Sequence, residues 1–195
     1  MERLIVIGNG MVGVACLENI LTHKKKFDIT VFGDETYANY NRILLSSVLA
    51  GERSADEITI NGLDWYQKNG VGLRLGVRIM NVNTTLRTVT GDDGGVMQYD
   101  KLIFATGSSA FIPPMDGIYR RNVFTFRNMD DTYGMMRVAK PGKRAVVIGG
   151  GLLGLEAARG LQLQGCAVTV IHIVDTLMNN QLDTAAGDLL KRRME

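Results

Sequence analysis

The chain has 195 residues, 46% of them hydrophobic and 22% charged, with a net charge of +2 at pH 7, which fits one large or two small folded domains and excludes a disordered chain. The near-neutral charge gives no support for nucleic-acid binding, and Lys24-Lys25-Lys26, the one tight basic run, reads as a solvated turn. Two cysteines, Cys16 and Cys166, make neither a disulfide framework nor a Cys-x-x-Cys pair; with no signal peptide and no apolar run near the ~20 residues of a membrane span, a cytoplasmic protein of a reducing compartment is expected.

Leu4-Ile5-Val6-Ile7 is the continuous apolar run of a strand buried on both faces, as in parallel sheets. Gly8-Asn9-Gly10-Met11-Val12-Gly13 interrupts it, a helix is predicted over Val14 to Leu21, and Asp28-Ile29-Thr30-Val31-Phe32 is a second strand. That order makes a βαβ unit. Residues 37–50 read as a loop with a short helix, and residues 54–69 as a further helical or irregular piece. Val71 to Leu75 reads as a third strand. Arg78 to Val82, Leu86 to Thr90 and Val96 to Tyr99 suggest a small antiparallel meander, with Gly91 to Gly95 as one of its turns. Lys101 to Ala105 is again a buried strand, and Pro113-Pro114 stiffens a connection that marks a domain boundary.

The pattern then repeats. A helix is expected after Asp130, stopped by Pro141-Gly142, and Arg144 to Ile148 restates the opening strand. Gly149-Gly150-Gly151-Leu152-Leu153-Gly154 restates the glycine turn, Leu155 to Gln164 the helix, and Ala167 to Ile171 the second strand. The expected architecture is α/β: two Rossmann-like dinucleotide-binding folds with parallel sheets and a small antiparallel meander. Residues 1–112 form the first domain and 113–195 the second, which lacks its later strands and reads as a C-terminally truncated piece of something longer.

In G-x-G-x-x-G the first glycine makes the tight turn, the second lets the backbone approach a pyrophosphate, and the third lets helix pack on strand. The pyrophosphate meets unpaired N–H groups at the positive end of the helix dipole. Gly8, Gly10 and Gly13 satisfy this, as do Gly149, Gly151 and Gly154, each after an apolar strand and before a helix. With Met11 and Leu153 inside the turns, they form two candidate cradles. An enzyme that holds two dinucleotides usually passes electrons between them, so no acid, base or nucleophile is required as a catalytic residue. A carboxylate near the end of the second strand normally holds a ribose. In the first unit Asp34 or Glu35 is available for this, or both are surface turn residues. In the second, His172 stands where Glu or Asp is expected. It is a candidate for the ribose or a surface histidine, and the lack of Arg or Lys there leans towards NADH over NADPH.

These residues resemble the FAD/NAD-dependent pyridine nucleotide oxidoreductases, which include ferredoxin, rubredoxin and disulfide reductases. Ala105-Thr106-Gly107, followed by Pro113-Pro114 and Gly117, is similar to the strand end that lies beside FAD in that family. Asn39-Tyr40-Asn41-Arg42-Ile43-Leu44-Leu45-Ser46 and Gly149 to Ala158 resemble the large subunits of NAD(P)H-dependent nitrite reductases. The resemblance implies FAD on the first fold and NAD(P)H on the second. It implies a flavin contact for Arg42, a backbone contact to adenine for Ile79, and a flavin contact or a turn cap for Thr106. Glu156 falls either near the nicotinamide or on a helix face, supporting the dipole. A proline and a lysine of the related flavin loop are replaced by Ile43 and Ser47, which departs from the ferredoxin reductases proper.

The same resemblance implies a hydride passing from NAD(P)H to FAD. Electrons then go to sirohaem and iron–sulfur centres in the remainder of the protein, where nitrite becomes ammonium at a distant site. No metal site is expected within these residues. A homo-oligomer and a small-subunit partner are expected, and neither nucleic acid nor membrane. Without the returning chain that completes the FAD fold in the family, the fragment is expected to hold FAD weakly. The alternatives are a stand-alone reductase of the ferredoxin or rubredoxin type and a non-catalytic NAD-sensing module.

Overall fold

The computed structural model describes residues 1–24 and 26–195. Of the basic run, Lys24 and Lys26 are exposed, and Lys25 lies outside the described residues. The chain divides into two compact units, one of Met1–Arg42 with Ile58–Ser109 and the other of Ile43–Glu57 with Ala110–Glu195.

In the first unit β1 (Glu2–Ile7), β2 (Phe27–Gly33), β5 (Val71–Leu75) and β9 (Lys101–Phe104) form a parallel sheet in the order β5-β2-β1-β9. Helix α1 (Met11–Thr22) makes the crossover from β1 to β2. Alternation along β1 divides its side chains between two cores. Leu4 and Val6 pack with Val14 and Leu17 of α1, Ile29, Val31, Tyr66 and Val71, whereas Ile5 and Ile7 pack with Phe32, Val89 and Tyr99. Both faces are covered, so the run is apolar throughout. Leu17 is fully buried, and its truncation to alanine would cost about 2–5 kcal/mol.

The second core lies under the antiparallel sheet of β6 (Ile79–Asn83), β7 (Thr88–Gly91) and β8 (Val96–Gln98), which is the expected meander. The residues between β2 and β5 include the short pair β3 (Asn39–Tyr40) and β4 (Thr59–Asn61), and α4 (Leu63–Lys68). One expectation is corrected: β9 is not a buried strand but the sheet's edge, and Phe104 on it is 65% exposed. Among the described residues no strand pairs with its outer side.

The second unit draws on two stretches of chain. Helix α2 (Leu45–Leu49) packs against α5 (Met129–Val138) and α6 (Leu152–Leu163). Leu49 is fully buried with Met135, Ala139, Ala157 and Leu161. A Cβ at Gly160 would lie 2.7 Å from the Leu49 side chain, so the approach of α2 to α6 requires that glycine. This packing places residues 43–57 with the second unit, whereas a boundary at 112/113 keeps them in the first domain. The short α3 (Ala55–Ile58) ends that stretch. A capping box starts α5, with Asn128 accepting from the Asp131 N–H at 2.8 Å and Asp131 accepting from the Asn128 N–H at 3.3 Å.

Strands β10 (Arg144–Ile148) and β11 (Ala167–Ile171) pair in parallel and are joined through α6, and α7 (Thr184–Met194) closes the chain. Ala145, Val147 and Val168 face the helical core. Val146, Ile148 and Ile171 on the other face are 52–60% exposed. The second unit therefore repeats the strand-turn-helix path of the first, but helices cover only one face of its sheet.

Register in the first sheet is held at its base. Arg3 Nε lies 3.2 Å from Asp100 Oδ2, the Arg3 backbone N–H donates to the same oxygen at 2.8 Å, and Asp100 N–H donates to the Arg3 carbonyl at 2.9 Å. The side-chain bond from Arg3 first, then its backbone N–H, hold the Asp100 carboxyl down at about 2. A depressed carboxylate contributes stability above its unfolded value, which is lost as pH falls through the folded one. Side-chain carbon NMR should show Asp100 ionised until about pH 2, and Arg3→Met should return its midpoint towards 3.8.

Candidate dinucleotide-binding sites

Residues 8–13 lie at the corner between β1 and α1. Gly8 has φ +114°, a conformation that disfavours any side chain, and a Cβ there would collide with the Ala105 carbonyl oxygen. A Cβ on Gly13 would collide with the Gly8 carbonyl oxygen. These two glycines are required by backbone packing alone. Gly10 is different: its φ is −81°, which any residue adopts, and a Cβ would meet nothing within 4 Å. It is the N-cap of α1 and no side chain caps the helix, although Ser, Thr, Asp or Asn is preferred at such a position. Among the described residues its N–H has no acceptor. An open space beside unpaired donors at a helix start fits a diphosphate.

The structure brings some first-unit candidates together and separates others. The Arg42 guanidinium pairs with Glu35 Oε1, and Tyr40 donates to Glu35 Oε2 at 2.6 Å, with Arg42 5.1 Å from the Tyr40 ring centroid. Asp34 points elsewhere, to Arg78 at 3.0 Å on the exposed surface. Ile79 opens β6 and packs its side chain on the second core. Ala105 stacks beneath Gly8, Thr106 is exposed, and Gly107 turns the chain with φ +69°. Met11 is half-buried at the first position of α1.

Three residues here escape a reading of the sequence. Tyr66 donates to Asn9 Oδ1 at 2.6 Å, Asn39 Nδ2 donates to the Asn9 carbonyl at 3.0 Å, and Asn39 and Tyr66 are each 1% exposed. Burial pushes the Tyr66 phenol up to about 12, so it stays protonated and donates. The only local signal is Asn9 itself, a polar residue inside a glycine turn.

The second turn repeats the geometry. Gly149 has φ +128°, a Cβ on Gly154 would collide with the Gly149 carbonyl oxygen, and Gly151 caps α6 with φ −85° and open space around it. Gly149 N–H donates to Ile171 O at 2.8 Å as Gly8 N–H does to Phe32 O at 2.8 Å, which makes Gly33 and His172 equivalent positions. A Cβ on Gly150 would lie 2.8 Å from the His172 ring, and a Cβ on Gly33 would lie 2.9 Å from Asn9 Cβ. Bulk is exchanged between the two positions, Asn9 over Gly33 in one unit and His172 over Gly150 in the other. His172 Nε2 meets Asn179 Oδ1 at 3.1 Å. Leu153 is 53% exposed beside the turn. Glu156 is half-buried on α6, and burial raises its carboxyl.

The pattern described as pyridine nucleotide-disulphide oxidoreductase matches residues 2–195. The chain belongs to that family. Among curated relatives, nitrite reductase [NAD(P)H] of Bacillus subtilis (strain 168) is 47% identical over 195 residues, all of this chain and 24% of the relative. The assimilatory nitrate reductase electron transfer subunit of the same organism is 46% identical, over 25% of its length. The NADH nitrite reductase large subunit of Escherichia coli (strain K12) is 38% identical over 99% of this chain and 23% of its own. The chain thus spans about a quarter of these relatives, and the expected resemblance to nitrite reductase large subunits holds. NADH:rubredoxin oxidoreductase from Clostridium acetobutylicum has the same fold, with TM-score 0.86 and 27% identity over 99% of this chain and 50% of that one.

Two classes of glycine follow for this family member. Gly8→Ala and Gly13→Ala should each destabilise the protein by more than about 3 kcal/mol, because backbone stands where the methyl must go. Gly10→Ala should leave the melting temperature within a few degrees, because nothing stands where its methyl would go. Thermal melts of the three variants separate the classes.

Proposed function

We propose that these 195 residues are the electron-entry module of an NAD(P)H-dependent nitrite reductase, with FAD on the turn at 8–13 and NAD(P)H on the turn at 149–154. The observation that carries the reading is the pair of N-cap glycines, Gly10 and Gly151, where no packing requires glycine and no side chain fills the space. The two turns would hold FAD and NAD(P)H, whose chemistry would be hydride acceptance followed by single-electron release, and in the whole protein those electrons would serve sirohaem and iron–sulfur centres that reduce nitrite to ammonium.

The chain's own residues bind and orient. Gly10 and Met11 offer backbone to one diphosphate and Gly151 and Leu153 to the other, while Gly8 and Gly13 in the first turn, and Gly149 and Gly154 in the second, give the turns their shape. Glu35, held by Arg42 and Tyr40, is the better placed ribose carboxylate of the first unit, since Asp34 is committed to Arg78 at the surface. Arg42, Ile79 and Ala105 to Gly107 complete the flavin side. Glu156, whose carboxyl is raised by burial, and His172 complete the nicotinamide-nucleotide side. Among the described residues no helix is long and apolar enough to cross a membrane, and the cytoplasm is the proposed place of action. A homo-oligomer and a small subunit are the proposed partners.

Identity supports a nitrite or nitrate reductase over a rubredoxin-type reductase, being 47% to a nitrite reductase and 46% to a nitrate reductase electron transfer subunit against 29% to NADH-rubredoxin oxidoreductase of Clostridium acetobutylicum (strain ATCC 824) among curated relatives. Anaerobic addition of NADH to the full-length protein should bleach the flavin band, and nitrite should restore it. Restoration only by a small iron–sulfur protein would point to a rubredoxin-type reductase, and nucleotide binding without bleaching to a sensor.

The position of His172 against the turn supplies a separate test. A carboxylate there bonds the ribose hydroxyls of NADH and repels the 2′-phosphate of NADPH. His172→Asp should raise the NADH-to-NADPH ratio of kcat/KM about tenfold, measured by flavin reduction, and an unchanged ratio removes His172 from the site.

A further inference from the structure

Each glycine turn has a middle residue whose carbonyl is anchored from behind, and the two turns do this with different groups. In the second, the Met178 backbone N–H donates to the Gly150 carbonyl at 2.8 Å, with Met178 at φ +51°. In the first, the equivalent Asn9 carbonyl takes its bond from the Asn39 side chain at 3.0 Å, and the Asn9 side chain is held by Tyr66 at 2.6 Å and reaches the Tyr37 carbonyl at 3.5 Å. Burying polar groups is costly unless they are paired. Here a buried amide and a buried phenol are both spent on one residue of the turn.

The geometry explains what they achieve there. No peptide bond among the described residues is cis, and in a trans peptide the C=O and the following N–H point in opposite directions. Anchoring the Asn9 carbonyl therefore fixes the direction of the Gly10 N–H, which has no acceptor among the described residues. The Gly10 carbonyl in turn accepts the first helical bond of α1, from Val14 N–H at 3.1 Å. Asn39 and Tyr66, each 1% exposed, have no polar surface to offer a ligand in solution, so an effect on binding is indirect, and the turn residue that both hold is Asn9.

We propose that Asn39 and Tyr66 are positioning residues for the diphosphate cradle of the first unit, holding the Asn9–Gly10 peptide so that its N–H is presented ready-aimed. The proposal rests on the reading of this turn as the FAD cradle. It assigns Met178 the same task at the second turn, where Gly150 must make room for His172.

The test uses full-length protein stripped of flavin and titrated with FAD, beside hydrogen-exchange mass spectrometry of the peptide covering 9–14. Tyr66→Phe removes one hydroxyl and Asn39→Ala one amide. Each should raise the FAD dissociation constant about five- to tenfold at a temperature where circular dichroism matches wild type. Each should also speed exchange at 9–14 without lowering protection across the rest of the chain. Tyr66→Phe added to Asn9→Ala should cost far less than the two single losses summed, since both remove the bond between Tyr66 and Asn9. FAD affinity equal to wild type in the folded variants, or additive losses in the double variant, overturns the proposal. Should Asn39→Ala not fold, Tyr66→Phe decides alone. Should wild type take up no FAD, the cofactor reading fails, and the anchoring of the turn is judged on exchange at 9–14, where unchanged protection overturns it.

Discussion

Two backbone-to-backbone contacts, made possible by missing side chains, determine the shape of the first candidate site. Gly8 lies against the Ala105 carbonyl and Gly13 against the Gly8 carbonyl, so α1 leaves β1 at a distance no Cβ would tolerate. The helix then starts beside open space at Gly10, whose N–H has no acceptor among the described residues. Register matters as much as glycine. Ala105 follows β9 at the right height because Leu4 pairs with Lys101, and the reciprocal bonds of Arg3 and Asp100 hold that register at the base of the sheet.

The two units meet the same backbone requirements with different side chains. In each, the middle residue of the turn faces the residue just after the second strand, and there is room for only one side chain. The first unit places Asn9 there and leaves position 33 as glycine, and its nearest acids are displaced to Asp34 and Glu35. The second places His172 there and leaves position 150 as glycine. Around the first turn the neighbourhood is charged and polar, with Glu35, Arg42 and Tyr40 joined in one cluster. Around the second it is an imidazole with an amide partner, Asn179.

Much of this was legible without coordinates. Both strand-turn-helix corners, the meander and the helix after Asp130 follow from apolar runs, glycine spacing and turn residues, because each is set by neighbouring stretches of chain. The edge position of β9 and the half-covered β10–β11 sheet were not legible. An apolar run shows that a strand belongs to a core but not what covers its second face. The Glu35–Arg42 pair was hidden differently: the two were separate candidates along the chain, and only their approach showed that they are joined.

By itself, the order of residues determined that two glycine corners exist and which glycines they use, since a left-handed φ or a helix start is a property of the local backbone. Tertiary structure alone decided which glycines serve packing and which leave space, because that depends on what stands opposite. It also brought Asn39 and Tyr66 to Asn9 across 30 and 57 positions of chain. A hydrogen bond between distant side chains leaves no periodicity or spacing in the sequence, and it forms only once the sheet has placed its ends together.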